Sequence, residues 1–342
     1  MINENKLSDF SKIKTIMMIT IVLYHSIALW LPEGWFNQQP STPSTFLRIL
    51  STWLNYIHVY VFVFVSGYLF SYLKIQKGKY KSFSELMKKK FKRLIIPYIT
   101  TSITWCIPFY ILFFQPSIIN VLKNYLFGYA PNQLWFLLML FNVFIIAYFL
   151  HQYIIKMDLK NVFIISFVIY LFYIIINNYI TLPFQLVKTI QFLPFFLIGM
   201  NYDRMNKILL KKNIYVFFLM INMVLFAIQF LIPLNANIYV KVIKKIIDFF
   251  ISINGTLFVV NFMCSIKNAS LFNKKIYKII ENNSFNIYLF HQQIIWTIIY
   301  LCNGRTSPLL MILMSFFISI IVSILISIVI KKFKITSKMF GN

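Results

Sequence analysis

His25 is the residue whose type and position could do chemistry inside a membrane. It lies in an apolar segment, eleven residues after Lys14. Eleven helical residues rise about 16 Å and complete about three turns, so both side chains fall on one helix face. This spacing predicts a cation near one membrane surface and an imidazole near mid-bilayer. A neutral imidazole can act as a general base near pH 7. The alternative is a histidine that only forms a hydrogen bond to a neighbouring helix.

Four further residues in apolar segments could contact a substrate. Arg93 lies where a segment begins, although that position also suits a cationic anchor at the lipid headgroups. Ser66 precedes Gly67, a pair that favours close packing of helices. Trp135 begins another segment, as is typical of the aromatic belt at membrane surfaces. His291 or Trp135 could stabilise a developing oxyanion, while His291 could also be a structural, hydrogen-bonded histidine.

Other residue types add less chemistry. The 8 acidic residues avoid the middle of the apolar segments, and Asp248 and Glu281 come nearest to one, so no carboxylate proton relay is expected. Tyr24 and Ser26 flank His25 and are predicted to point away from its helix face. No metal site and no bound cofactor are predicted, because CxxC spacing and nearby histidine pairs are missing around Cys106, Cys264 and Cys302.

The composition predicts a membrane protein. Hydrophobic residues make up 60% of the 342 residues and charged residues only 12%, whereas about a quarter of the residues of soluble domains are charged. Such a chain has too little polar surface to cover a water-exposed globule. The net charge is +25, but Lys and Arg lie between apolar runs rather than on one face, which excludes a nucleic-acid partner.

Ten apolar runs approach the roughly 20 residues that a helix needs to cross a bilayer. We therefore predict an all-α fold, a polytopic transmembrane helix bundle that forms a single domain over residues 1–342. The run that carries Pro194 is short. The predicted spans are residues 14–31, 52–73, 94–114, 135–155, 162–177, 185–201, 214–232, 246–265, 285–302 and 309–330.

The distribution of basic residues predicts the orientation. With ten spans and a cytoplasmic N-terminus, 26 of the 33 Lys and Arg fall on the cytoplasmic side. This agrees with the positive-inside rule, so both termini are predicted to be cytoplasmic. The outer loop 233–245 fits poorly because it is rich in lysine. The cytoplasmic loop 74–93 carries Phe83, Leu86, Met87 and Phe91 beside many lysines, which predicts an amphipathic helix on the membrane surface. The alternative adds a binding role for a phosphorylated cytoplasmic ligand.

Six sequence motifs occur in the order found in one known family. They are KIKTIMMITIVLYHS (residues 12–26), FVFVSGYLF (62–70), KFKRLIIPY (90–98), LWFLLML (134–140), FLPFFLIGM (192–200) and NSFNIYLFH (283–291). In these motifs the chain resembles the membrane-embedded acyltransferase type 3 family, which includes bacterial O-acetyltransferases of surface polysaccharides. The first motif is the most specific, and together the motifs extend over nearly the whole chain.

The resemblance implies transfer of an acyl group, usually acetyl, from cytoplasmic acyl-CoA (acetyl-CoA) to a hydroxyl of a lipid-linked or cell-surface glycan such as capsule or exopolysaccharide. It places the catalytic histidine at His25 and the basic residue of the same motif at Lys14. The implied setting is the plasma membrane of a bacterium, with the lipid bilayer as a further partner. The candidate substrate- and donor-binding residues are Lys14, Arg93, Ser66, Trp135 and His291.

The chain departs from the family pattern at several positions. Many family members have an Arg where this chain has Lys14 and an acidic residue where it has Ser11. Many also have a Glu after the Trp motif, and this chain lacks it. These departures favour the shorter capsule or exopolysaccharide subgroup, or altered handling of the donor. An exporter or flippase of polysaccharide or lipid-linked sugar is the alternative function. A purely structural membrane protein would leave His25 without a role. The oligomeric state is open.

Overall fold

The computed structural model describes residues 4–129, 132–208, 213–233, 237–266 and 270–341, and within them the fold is all-helical with no strand. The helices are α1 (Glu4–Ser26), α2 (Thr45–Asn55), α3 (His58–Ile75), α4 (Phe83–Phe114), α5 (Ile118–Leu126), α6 (Trp135–Ile154), α7 (Leu159–Tyr179), α8 (Leu186–Met200), α9 (Tyr202–Ile208), α10 (Ile214–Leu231), α11 (Ile238–Ser265), α12 (Lys275–Cys302), α13 (Pro308–Lys332) and α14 (Lys334–Met339).

Seven helical segments of the described chain are long and apolar enough to cross a bilayer. They are the pair α2–α3, then α4, α6, α7, α10, α11 and α13. Helix α8 is apolar but shorter, and α1 and α12 carry more polar side chains. The predicted all-α, polytopic bundle is confirmed, and all ten predicted spans overlap helices. The count of ten crossings, the cytoplasmic termini and the single domain over residues 1–342 stay predictions.

The predicted surface helix in loop 74–93 is the first part of α4, and it continues without a break into the third predicted span. Ser82 Oγ accepts a hydrogen bond from the backbone N–H of Glu85 at 3.2 Å. The carboxylate of Glu85 in turn accepts from the backbone N–H of Lys81 at 2.9 Å. This reciprocal capping satisfies free N–H groups and starts the helix ahead of the membrane. A helix is therefore present in this loop as predicted, and its position on the membrane surface stays a prediction.

The predicted outer loop 233–245 is also largely helical, because α11 begins at Ile238. Asn237 caps this helix, with its side-chain oxygen accepting from the backbone N–H of Val240 at 3.0 Å. The lysines that fitted the orientation rule poorly therefore lie on a helix rather than in a loop. Parts of three predicted loops, residues 209–212, 234–236 and 267–269, lie outside the described residues.

Two wider, π-helical turns interrupt α4, at Phe91–Ile95 and Ser102–Cys106. Each comes two residues before a proline, Pro97 or Pro108. A proline has no N–H, and its ring collides with the preceding turn of an ideal helix. The extra residue of a π-turn opens the helix at such a point. Arg93 lies inside the first π-turn, so the proline behind it shapes the backbone that carries this guanidinium.

Helix α1 lies inside the bundle, where it packs against α3, α11, α12 and α13. Helix α3 packs along α8 on its other side. Large buried rings fill these contacts, for example Phe10 stacked on Tyr68 with ring centroids 3.9 Å apart. The outer helices α7, α10 and α13 instead expose many Ile, Leu and Phe side chains, as expected for surfaces that face lipid. The polar residues of α1 and α3 are therefore held in the interior.

Helices α3 and α8 approach each other so closely that a glycine of each touches the backbone of the other. A Cβ atom on Gly67 would overlap the carbonyl oxygen of Phe196, and one on Gly199 would overlap the carbonyl oxygen of Phe64. Small residues allow this kind of backbone contact between membrane helices. It is the close packing that the Ser66–Gly67 pair predicts, and it sets the distance between the two helices.

Gly67→Ala is expected to destabilise the protein by about 1–3 kcal/mol, because the added methyl group must push two backbones apart. The measurement is thermal unfolding of the purified full chain in detergent. Ser71→Ala is the matched control, since it changes a buried residue of the same helix and removes only a hydroxyl. Equal unfolding temperatures for the two variants would contradict the close contact.

Candidate active site

A cavity of about 980 Å³ lies in the interior of the bundle. Its lining includes residues of α1, α3, α4, α6, α8, α11 and α12. Of the predicted site residues, five line it, namely Lys14, His25, Ser66, Arg93 and Trp135. His291 is fully buried and does not line the cavity, but its ring lies next to that of His25. Tertiary packing thus brings all six predicted residues into or against one space.

One face of α1 forms a wall of this cavity. Lys14, Met18, Ile21 and His25 all line it, and their spacing of four, three and four residues keeps them on one side of a helix. The shared face predicted for Lys14 and His25 is thus what the structure shows. Tyr24 also lines the cavity, so the expectation that it points away was wrong. A residue beside His25 is turned by only about 100°, which is close enough for a long ring to reach the same space.

Aromatic rings surround His25. The indole of Trp35 stacks on it with centroids 5.4 Å apart, and the ring of His291 lies at 5.2 Å. A third histidine, His58 of α3, lines the same cavity and stacks on the ring of Tyr24 at 4.3 Å. The three imidazoles come from α1, α3 and α12, so three separate helices must pack correctly to assemble them.

Hydrogen bonds define which nitrogen carries the proton in two of these rings. His58 Nδ1 lies 2.6 Å from the carbonyl oxygen of Leu54, and His291 Nδ1 lies 2.9 Å from that of Ile287. A carbonyl only accepts, so Nδ1 is the donor in both rings and Nε2 of the neutral ring is an acceptor. Among the rings of His25, His58 and His291, two buried nitrogens have no hydrogen-bond partner within the described chain, Nδ1 of His25 and Nε2 of His291.

The opposite end of the cavity is basic. Lys14 and Arg93 line it, and we call this region the basic end; Lys14 is about 16 Å along α1 from His25. The guanidinium of Arg93 lies over the ring of Phe285, 5.6 Å from its centroid. Near this end, the ammonium of Lys90 sits 3.4 Å from the ring centroid of Phe144. Aromatic faces favour cations, so these contacts hold the cations without neutralising them.

The described lining residues include two carboxylates, Glu33 and Asp248, and neither forms an ion pair with Lys14 or Arg93 within the described chain. Glu33 follows α1 beyond His25 in the chain. Asp248 is buried. The side-chain NH₂ of Gln229 donates to its carboxylate at 2.5 Å and to the hydroxyl oxygen of Tyr56 at 3.2 Å. Asp248 also pairs with Lys245 at 3.6 Å. The sequence placed Asp248 near a span end, and the structure adds it to the cavity wall.

Residues 11–330 match a family model described as an acyltransferase domain, Acyl_transf_3. The chain belongs to the acyltransferase type 3 family. It is therefore a multi-pass membrane acyltransferase, which implies a lipid bilayer, an acyl group and an acceptor for that group. A search of curated proteins and a search of solved structures both find no match.

In this acyltransferase, hydrogen bonds between α12 and the start of α6 position Trp135. The backbone N–H of Gln133 donates to the side-chain oxygen of Gln292 at 2.5 Å. The side-chain NH₂ of Gln133 donates to the side-chain oxygen of Gln293 at 2.9 Å. The hydroxyl of Tyr288 donates to the carbonyl oxygen of Gln133 at 2.5 Å. The sequence motif around Trp135 was recognised, but the glutamines that anchor it were not.

Several residues of the acyltransferase cavity escaped the sequence interpretation. His58 was visible as a histidine in an apolar segment, eight residues before Ser66 on the same helix. Gln185, Lys188 and Gln191 also line the cavity, and their three-residue spacing is a helical pattern. The available signal was therefore polar residues at helical spacing within apolar runs.

Proposed function

We propose that this protein is a bacterial plasma-membrane O-acyltransferase that moves an acyl group, with acetyl as the proposed group, from cytoplasmic acyl-CoA to a hydroxyl of a cell-surface or lipid-linked glycan. The observation that carries the proposal is one cavity with Lys14 and Arg93 at one end and His25 about 16 Å away. That arrangement suits a donor with an anionic head and a long arm that ends in a thioester.

The basic end would hold the phosphates of the donor. Lys14 and Arg93 line it, and neither forms an ion pair with a carboxylate among the described residues. Charge-assisted hydrogen bonds from Lys and Arg to phosphate are among the strongest that proteins form. The departure of this chain from the family at Lys14 keeps the charge but loses the planar fork of an Arg, so Arg93 would supply bidentate contacts.

His25 would act as the general base at the thioester. As the acceptor oxygen attacks the thioester carbonyl, a C–O bond forms and His25 takes the hydroxyl proton. The C–S bond then breaks, and the departing CoA sulfur takes the proton from the imidazolium. The proton must move during the attack, because a hydroxyl is far too weak an acid to ionise beforehand. Atoms and charge balance without a further reactant.

His291 would position His25 for this step. When Nε2 of His25 serves as the base, its Nδ1 carries a proton and needs an acceptor. The buried Nε2 of His291 is an acceptor without a partner, in a ring whose centroid is 5.2 Å away. A hydrogen bond from His25 Nδ1 to His291 Nε2 would satisfy both atoms and orient the base, much as a carboxylate orients the histidine of a catalytic triad.

His25→Ala is expected to lower acyl transfer by about 10²–10⁴-fold, the usual contribution of a general base. The assay is transfer of radioactive acetyl from acetyl-CoA to purified glycan, by membranes matched for protein amount. His151→Gln is the control, because it changes a buried histidine that does not line the cavity. Substantial transfer by His25→Ala at normal protein levels would refute the catalytic role.

His291→Leu is expected to lower kcat by about 10- to 100-fold with little change in the KM for acetyl-CoA, since a hydrogen bond to a charged group contributes about 1.5–3 kcal/mol. His291→Gln should recover part of the loss, because its amide oxygen can accept from His25. The pH profile of kcat should shift in the Leu variant. Equal kcat values for the Leu and Gln variants, or an unshifted profile, would indicate a structural role only.

Lys14→Gln and Arg93→Gln are each expected to weaken acetyl-CoA binding by about 10- to 100-fold, from the loss of a charge-assisted hydrogen bond. Equilibrium binding of radioactive acetyl-CoA to the purified full chain measures this. Lys92→Gln is the control, because Lys92 neighbours Arg93 but does not line the cavity. Unchanged affinity in both variants would exclude the basic end as the donor site.

A further inference from the structure

Beyond His25, the cavity has a polar wall that the proposed donor does not need. It is formed by Lys188 and Gln191 of α8 and by Gln185, the residue directly before that helix. Their three-residue spacing places them along one side of a helix. Tyr56 and Tyr173 line the same cavity. We call these five residues the α8 branch. It offers hydroxyls, amides and one cation to a ligand.

Lys188 is a cation without a counter-charge among the described residues. Its ammonium lies over the ring of Trp135, 5.6 Å from the ring centroid. Of the other two lysines in the described lining, Lys245 is paired with Asp248 at 3.6 Å and Lys14 lies at the basic end. Glu33, the other acidic lining residue, forms no ion pair with Lys188 within the described chain. A lysine in a membrane-spanning helix is costly unless an anion or polar group meets it.

Gln191 adds a second incomplete contact. Its side-chain NH₂ donates to the hydroxyl of Tyr60 at 3.1 Å. Its side-chain oxygen is buried and has no hydrogen-bond partner, while the residue itself is only 8% exposed and lines the cavity. Buried polar atoms nearly always have a hydrogen-bond partner. We therefore expect the side-chain oxygen of Gln191 to accept a hydrogen bond from a ligand, for example from a hydroxyl group.

We propose that the α8 branch binds the acceptor glycan and that the acceptor carries an oxyanion, a carboxylate or a phosphate, which Lys188 contacts. Gln191 accepts a hydrogen bond from a hydroxyl of the same sugar. This inference rests on the proposed function and adds the charge of its acceptor. A neutral sugar would satisfy Gln191 but would leave the Lys188 ammonium unpaired, so the two observations together select an anionic glycan.

The test compares three small probes on the purified full chain in detergent, without acetyl-CoA. Methyl glucuronide carries a carboxylate, glucose 1-phosphate carries a phosphate, and methyl glucoside is neutral. Binding is measured from the concentration dependence of the thermal unfolding temperature. The favoured anionic probe should bind about 10- to 100-fold more tightly than methyl glucoside. Tighter binding of the glucuronide indicates an acidic sugar, and tighter binding of the phosphate indicates a phosphate-bearing acceptor such as a lipid-linked sugar.

Lys188→Gln should abolish this preference, and Lys188→Arg should keep most of it. Lys241→Gln is the matched control, because Lys241 lies one turn before Lys245 on α11 and does not line the cavity. The inference is overturned if neither anionic probe binds, if the neutral probe binds equally well, or if the preference survives Lys188→Gln. Acetyl transfer is assayed separately, so a protein that selects anionic sugars without transferring acetyl would refute the proposed function instead.

Discussion

The close contact between α3 and α8, which Gly67 and Gly199 allow, is the constraint on which the cavity depends. It brings the backbones of α3 and α8 into contact. Both helices contribute to the cavity lining, with His58 and Ser66 on α3 and Lys188 and Gln191 on α8. Without a hydrophobic force between helices in lipid, such close packing is a main source of helix association. The residues that hold the site together are therefore distinct from those with chemistry.

The sequence was sufficient for the helical bundle and for one wall of the site. Apolar runs mark the helices because each must be long enough to cross lipid, and the spacing of Lys14 and His25 defines a face within a single helix. The sequence has no comparable spacing pattern that would predict which helices contact each other. The proximity of His291 to His25 depends on how α1 packs against α12, and that packing is set by side-chain shapes distributed over both helices.

Errors in the sequence interpretation have physical causes. The lysine-rich first turns of α11 were predicted to be a loop because charge is usually excluded from spans, yet Lys245 is compensated there by Asp248. Many family members have an acidic residue where this chain has Ser11. Here the Ser11 hydroxyl donates a hydrogen bond to the carboxylate of Glu281 at 2.9 Å. The acidic group near this position is thus supplied by α12, which no motif within α1 could reveal.

A cavity surrounded by lipid also explains why the candidate base is an imidazole. A carboxylate there would bring a permanent charge into a medium of low dielectric, whereas a neutral imidazole acquires charge only during the reaction. In the proposed transfer, the imidazolium of His25 forms together with negative charge on the thioester oxygen and then on the departing sulfur. The two charges arise side by side and disappear together, so the net charge of the cavity never changes.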